Sequence, residues 1–398
     1  MADQIDSRII PTLGALRTQL RIGMIGISGR GGLWRSWHQP QGRSVVVGAA
    51  DVNPAHLAAF QQEHGGSPFV TEDYRRLLER DDIDAIAVTA PDFTHEEYAV
   101  AALSAGKHVF CEKPLAITIE GCDRILDTYR HSGRRLMVGF NMRYMNIFRV
   151  MKEIIDSGAI GELKAVWVRH FVGYGGDFYY HDWHANRKNT TSLLLQKGSH
   201  DIDMIHWLSG RYTTRVAAFG GLDYFGGDKP NDLRCPDCPE RETCIEAMPG
   251  NHSRIQCAFR QEVDVEDNNV VIMQLEGGVK AAYLQCHFTP DYHRNYVFIG
   301  TEGRLENSEP EMKVWVKTRR SNTYRELADR TYQVKEAQGT HGGADPVICK
   351  DFVDMVLDGK EPVATPIAGR MSVAAGVKAA ESMRAGGIPL DIPPYQPK

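Results

Sequence analysis

One succession near the amino end constrains the fold more than any other: an apolar run, a glycine turn and, after a second apolar run, an acid. Residues 20–27 are apolar enough to form a buried strand, and they pass directly into Gly26-Ile27-Ser28-Gly29-Arg30-Gly31-Gly32. A strand that breaks into glycines and restarts as a helix leaves backbone N–H groups facing outward, an arrangement suited to a pyrophosphate. Ser28 stands where the middle glycine of a G-x-G-x-x-G pattern is usual, and its small side chain still permits close approach. Alone, a glycine cluster is weak evidence. The second run, 44–50, ends in Asp51, about 20 residues farther on, where a carboxylate takes the adenosine ribose hydroxyls. An acid there repels a 2′-phosphate, so NAD is favoured over NADP; the competing reading has Asp51 capping the helix that Pro54 begins.

Strand and helix signals continue to alternate. Helices are expected over 53–64 and 72–80, then a buried strand over 83–90 that finishes at Ala90-Pro91-Asp92-Phe93-Thr94-His95. Thr94 with Glu97 three residues on reads as a helix cap. The next strand, His108-Val-Phe-Cys111, ends in Glu112-Lys113-Pro114, and is followed by a helix over 118–131 and a sixth strand over 135–141. Alternation of this kind predicts an α/β domain over 1–144 with a doubly wound parallel sheet, residues 1–19 forming an arm or edge element. Ligands in such sheets lie beyond the carboxyl ends of the strands. The cofactor candidates are therefore Gly26, Ser28, Gly29, Arg30, Gly31, Asp51, Ala90, Pro91, His95, Glu112, Lys113 and Arg143. Pro114, if its peptide bond is cis, turns the Lys113 side chain inward.

Glu112-Lys113-Pro114 together with the glycine turn resembles the glucose-fructose oxidoreductase and inositol dehydrogenase family. The resemblance implies that Lys113 hydrogen-bonds the substrate hydroxyl being oxidised and that Glu112 lies near the nicotinamide ribose. An ammonium group beside an alcohol stabilises the alkoxide character that develops as hydride leaves. Leu193-Leu194-Leu195-Gln196-Lys197-Gly198-Ser199-His200 resembles the family segment in which an Asp, three residues and a His precede a helix. Here Gln196 replaces the Asp. Glutamine orients a hydroxyl but takes up no proton at neutral pH, so acid–base work falls to His200, Lys113 or Lys197. The bland alternative is a core histidine, because His200, Met204 and Trp207 share one helical face.

From residue 145 to 398 the pattern predicts an α+β domain built on a large, mostly antiparallel open sheet. Strands are expected over 162–172, 215–224, 269–276, 279–287, 296–300 and 312–317, with Gly277-Gly278 as a two-residue hairpin turn. Helices over 347–357 and 368–384 are expected to return to the first domain. The resemblance implies oligomer contacts through the open sheet, hence a homo-oligomer. The loop 174–188 is rich in rings and cations, including Tyr180, His181, His184 and Arg187. With Tyr144 and Gln196 these are the substrate candidates, suited to a sugar ring with an anionic substituent; such a loop could equally pack against another subunit.

Cys235-Pro-Asp-Cys238, Cys244 and Cys257 fall in an excursion over about 225–267, long for a loop in a compact domain. Four thiolates can close a structural zinc shell; free thiols in a proline-rich loop are the alternative. The formal charge of −5 is spread without single-sign blocks, which excludes a nucleic-acid footprint. No apolar run reaches the roughly 18–20 residues that span a bilayer, and Met1-Ala2-Asp3-Gln4 does not open a secretory leader, so a cytoplasmic protein without membrane contact is expected. The functional expectation is an NAD-dependent oxidoreductase acting on a ring hydroxyl of a sugar or cyclitol. Two alternatives stand beside it: a glycoside hydrolase working by transient oxidation, elimination, water addition and re-reduction, and a non-catalytic NAD-binding regulator.

Overall fold

The computed structural model describes residues 18–173, 179–250, 252–319 and 328–397. Residues 1–17 of the expected amino-terminal arm and residues 174–178 of the aromatic loop lie outside them. Six strands form the first sheet: β1 Leu20–Ile25, β2 Ser44–Ala50, β3 Phe69–Thr71, β4 Ala85–Val88, β5 His108–Cys111 and β6 Leu136–Val138. All pair in parallel in the order β3-β2-β1-β4-β5-β6. The strand order reverses between β1 and β4, which opens a crevice at their carboxyl ends. The strands are buried on both faces; Ala85, Ile86, Ala87 and Val88 are all fully covered, as a two-sided helical coat requires.

Several expected elements shrink or shift, for local reasons. The first strand stops at Ile25 because Gly26 takes a positive φ of 83°. The helix expected over 72–80 is Tyr74–Leu78, begun by the Asp73 carboxylate accepting from Arg75 N–H. The sixth strand is only Leu136–Val138, since the chain turns at Phe140.

The second sheet has nine strands: β7 Leu163–Val172, β8 Thr213–Gly221, β9 Asn268–Leu275, β10 Lys280–Cys286, β11 Tyr292–Gly300, β12 Gly303–Ser308, β13 Lys313–Thr318, β14 Arg330–Gln333 and β15 Leu390–Asp391. Their order is β14-β13-β12-β11-β7-β10-β9-β8-β15, antiparallel except where β7 meets β10. The β9–β10 turn carries Gly277 and Gly278 at φ 66° and 76° and is closed by Leu275 N–H donating to Val279 C=O. Sequence pattern missed β12, whose residues are mostly polar although Leu305 is fully buried. The helix Ala344–Asp358 packs into the first domain, where Trp37 donates its indole N–H to Cys349 C=O and meets Phe352 edge-on. The helix Pro366–Arg384 lies on β8 and against the helices Gly198–Ser209 and Ile119–Ser132.

Candidate active site

At the β1/β4 crevice two loops meet through glycine. A Cβ on Gly26 would stand 2.6 Å from Ala90 N, and one on Gly31 would stand 2.5 Å from Gly26 O. Neither position admits a side chain without moving backbone. Thr89 Oγ donates to Gly26 C=O at 2.6 Å, and His95 bridges the Pro114 and Ala90 carbonyls at 2.7 and 2.9 Å. Asp51 braces the glycine loop directly, accepting from Ile27 N–H and Asn53 N–H, both at 2.9 Å. The helix cap is Asn53, not Asp51: its side chain accepts from Ala55 N–H. Arg30 is held between Glu112 at 2.8 Å and Asp345 at 3.0 Å. Burial works against its charge, and the two carboxylates outweigh it, holding the guanidinium pKa above its ordinary value.

Beside this cradle stands a second group of side chains. The Lys113–Pro114 peptide is cis. Lys113 Nζ donates to Gln196 C=O at 3.1 Å, which ties the end of β5 to the segment carrying Lys197 and His200. Burial lowers the Lys113 pKa, with Asp92 and Tyr179 opposing. Burial likewise lowers His200 far below the ordinary imidazole value, reinforced by the charges of Lys113, Arg294 and Lys197. His200 is therefore a neutral ring at pH 7. Lys197 lies over the Tyr179 ring at 5.6 Å, its pKa lowered by burial. Three buried atoms here have no hydrogen-bond partner among the described residues: Gln196 Oε1, His200 Nδ1 and Asp92 Oδ2. Burial raises the Asp92 carboxyl, against the pull of His95 and Lys113. Asp92 was not among the expected site residues, though its place in the loop after β4 was its signal.

Under His200 lies a buried charge network. Asp201 accepts from His170 Nδ1 at 2.8 Å, from the Tyr283 hydroxyl at 2.7 Å and from the Tyr296 hydroxyl, and faces Arg294 Nε at 3.2 Å. Glu309, its pKa raised to about 7 chiefly by burial, stands near Arg294 and Lys197. These partners come from β7, β10, β11 and the turn after β12, so no short motif announced them.

Five expected site residues are committed elsewhere. Arg143 is 6% exposed and pairs with Asp203 through Nε at 2.8 Å and Nη2 at 2.6 Å, while Nη1 donates to Val363 C=O. Tyr144 donates to Asp351. Tyr180, fully buried, stacks on Phe225 at 3.9 Å and donates to Glu266 C=O. Arg187 shares Glu266 with Arg384. His181 turns from the cleft toward Cys235, its Nδ1 bonded to Gln256 C=O. His184 stays close, buried and edge-on to Tyr179 at 5.4 Å.

Cys235, Cys238, Cys244 and Cys257 line one cavity of about 20 Å³ with His181. All four are free thiols, and among the described residues no group of three or more His, Cys, Asp or Glu is placed to hold a metal ion. The expected zinc shell is thus not supported. The thiols border one small gap together with Arg241, Glu246 and Phe259, without the mutual placement that a tetrahedral shell needs. Among the described residues no helix is long and apolar enough to cross a membrane.

The crevice fits a dinucleotide on three counts: a glycine contact with no room for a side chain, a carboxylate one strand over, and buried polar atoms beside it with no hydrogen-bond partner among the described residues. Comparison with known proteins agrees. Bacillus subtilis YteT is 27% identical over 380 residues, covering 83% of this chain and 87% of that protein. Inositol 2-dehydrogenase of Klebsiella pneumoniae is 38% identical over 192 residues, 48% of this chain and 54% of the enzyme, so the match spans about half of that relative. A Kribbella flavida oxidoreductase domain protein superposes with a TM-score of 0.79 at 21% identity, over 95% of this chain and 100% of the other. Levoglucosan dehydrogenase, in complex with NADH and levoglucosan, gives 0.76 at 21% over 94% and 100%. Residues 20–140 match the NAD-binding Rossmann fold of an oxidoreductase family and residues 152–392 match that family's C-terminal alpha/beta domain, and the chain belongs to this family.

Proposed function

We propose that this chain is an NAD-dependent dehydrogenase of a ring hydroxyl in a sugar or cyclitol, with Lys113 and His200 handling the hydroxyl proton. The observation that carries the reading is the joining of Lys113 to the His200 segment through the Gln196 carbonyl, beside the glycine cradle. Inositol and levoglucosan dehydrogenases among the relatives and structural neighbours point to the same substrate class. When bound, the nicotinamide ring supplies the hydride acceptor. Gly26, Gly31 and Asp51 would hold the dinucleotide, and Glu112, next to Lys113, would meet its nicotinamide ribose. The Lys113 ammonium stabilises negative charge growing on the substrate oxygen, and the unpartnered His200 Nδ1 accepts the proton. Gln196 Oε1 receives a neighbouring hydroxyl and holds the ring in register. The outer face of the second sheet exposes Trp167, Ile272 and Phe219; a second copy of the chain is proposed to cover it.

A redox glycosidase is the second reading, favoured by Lys197. This lysine forms no ion pair among the described residues and would serve as the additional base that elimination and water addition need. One experiment separates them: a panel of cyclitols, free sugars and aryl glycosides, followed by absorbance of reduced nicotinamide and by aglycone release. Net reduction supports the dehydrogenase, and aglycone release without net reduction supports the hydrolase. Lys113→Ala is expected to lower either rate by about 10²–10⁴-fold while NADH binding persists. A near-normal rate in that variant would remove Lys113 from the chemistry.

A further inference from the structure

The turn before the helix Ala344–Asp358 carries three successive residues with left-handed backbone: His341 at φ 51°, Gly342 at 58° and Gly343 at 76°. Glycine adopts this region freely, whereas a residue with a Cβ does so at a cost that the surroundings must offset. What the conformation achieves is reach: the imidazole is delivered from the carboxyl-terminal part of the chain onto the glycine loop of the first domain. His341 Nδ1 stands 3.2 Å from Arg30 Nη1 and 2.9 Å from Asp345 Oδ2.

Arg30, the loop's own cation, is already engaged. It donates through Nε to Glu112 and through both terminal nitrogens to Asp345, at 2.8, 3.0 and 3.1 Å. Two carboxylates neutralise it, so it is poorly placed to serve as a free anion ligand. His341 is in the opposite position. Its side chain is 49% exposed, and its Nε2 makes no hydrogen bond among the described residues. A carboxylate can only accept, so the 2.9 Å contact makes Nδ1 the donor to Asp345 and leaves Nε2 of the neutral ring as an exposed acceptor. A single exposed ring nitrogen is thus held beside the glycine loop.

We propose that His341 is a dinucleotide-binding residue, its Nε2 accepting from a ribose hydroxyl of NAD(H), so that the 339–343 turn closes the cradle opposite the glycine loop. The proposal rests on the NAD-binding fold and not on the choice of substrate, so it is read by binding alone. NADH is titrated by fluorescence against the full chain and against His341→Ala, His341→Asn and His341→Gly, with a thermal midpoint recorded for each. Asn and Gly tolerate the left-handed backbone and keep the turn. All three variants are expected to bind NADH about threefold or more weakly, as for the loss of a hydrogen bond between neutral groups. His341→Gly is expected to melt no lower than the unaltered chain. Affinity within about twofold of the unaltered chain in His341→Asn and His341→Gly would overturn the proposal. So would a collapse of fold in all three, which would make the residue structural. Failure of the unaltered chain to bind NADH would fail the cofactor reading itself, whereas a silent substrate panel with intact binding would fail only the dehydrogenase reading.

Discussion

Asp201→Ala removes the carboxylate on which four buried groups converge. Asp201 is fully buried, with His170 Nδ1, the Tyr283 and Tyr296 hydroxyls and Arg294 Nε around its two oxygens. Burial alone would raise its pKa; Arg294 and His170 outweigh burial and hold it well below the ordinary carboxylate range. The ion pair with Arg294 at 3.2 Å lacks hydrogen-bond alignment at Nε, so the charge itself, more than one directed bond, is what the variant removes. It leaves Arg294, 5% exposed, with the His170 ring and the Met142 sulfur as neighbours. An uncompensated buried charge costs about 3–5 kcal/mol. At about 2–4 °C per kcal/mol for a domain of this size, the midpoint should fall by about 6–20 °C. Removing both charges, in Asp201→Leu with Arg294→Met, should cost less than the single change. The pH dependence has a definite sign. Asp201 is more acidic folded than unfolded, so its stabilisation is complete above the unfolded value of about 3.9 and is lost as pH falls through the folded one. The gap between the unaltered chain and Asp201→Ala should therefore be widest near neutrality and narrow below about pH 4. Calorimetry across pH reads all of this. A loss under about 1 kcal/mol, or a double variant as unstable as the single, would refute the account of the network as a balanced charge cluster.

Arg143→Ala strips the bidentate partner from Asp203, which is fully buried. The expected result is about 3–5 kcal/mol of lost stability by thermal or urea melting, with unchanged NADH affinity in the folded fraction; weaker binding without lost stability would return Arg143 to the cofactor. On the outer sheet face, Trp167 and Ile272 lie in one row across β7, β10 and β9, each paired with Ala282. Trp167→Lys with Ile272→Lys should shift a dimer or larger species toward monomer in sedimentation at about micromolar concentration, and a monomeric unaltered chain would refute a contact between copies there.

What was legible in the sequence was what backbone and burial decide locally. Gly26 and Gly31 report a contact between loops that no side chain could occupy, and β5 reports itself as an apolar run that ends in charge at the crevice. The allocation of cations was not legible. Arg187 looked available because its neighbours are rings and bases, yet it shares Glu266, 79 residues on, with Arg384 from the last long helix. Arg143 sits one strand end from the cofactor cradle, but Asp203 claims it from 60 residues away. A buried cation must find an acid, and the acid that satisfies it is chosen by tertiary approach, so local density of Arg and His overstates how many remain for a ligand. The same physics points the other way at His341. Thr340-His341-Gly342-Gly343 reads as an ordinary turn before a helix, and its histidine has one local partner, Asp345 four residues on, but no local sign of the glycine loop. Only when the first domain brings Arg30 beside the ring, whose Nδ1 is bonded to Asp345, does its other nitrogen stand free next to the glycine loop. The useful sequence signal is therefore a single polar residue set among glycines at an element end, where backbone freedom, and not a cluster of like side chains, is what allows a group to be delivered to a distant site.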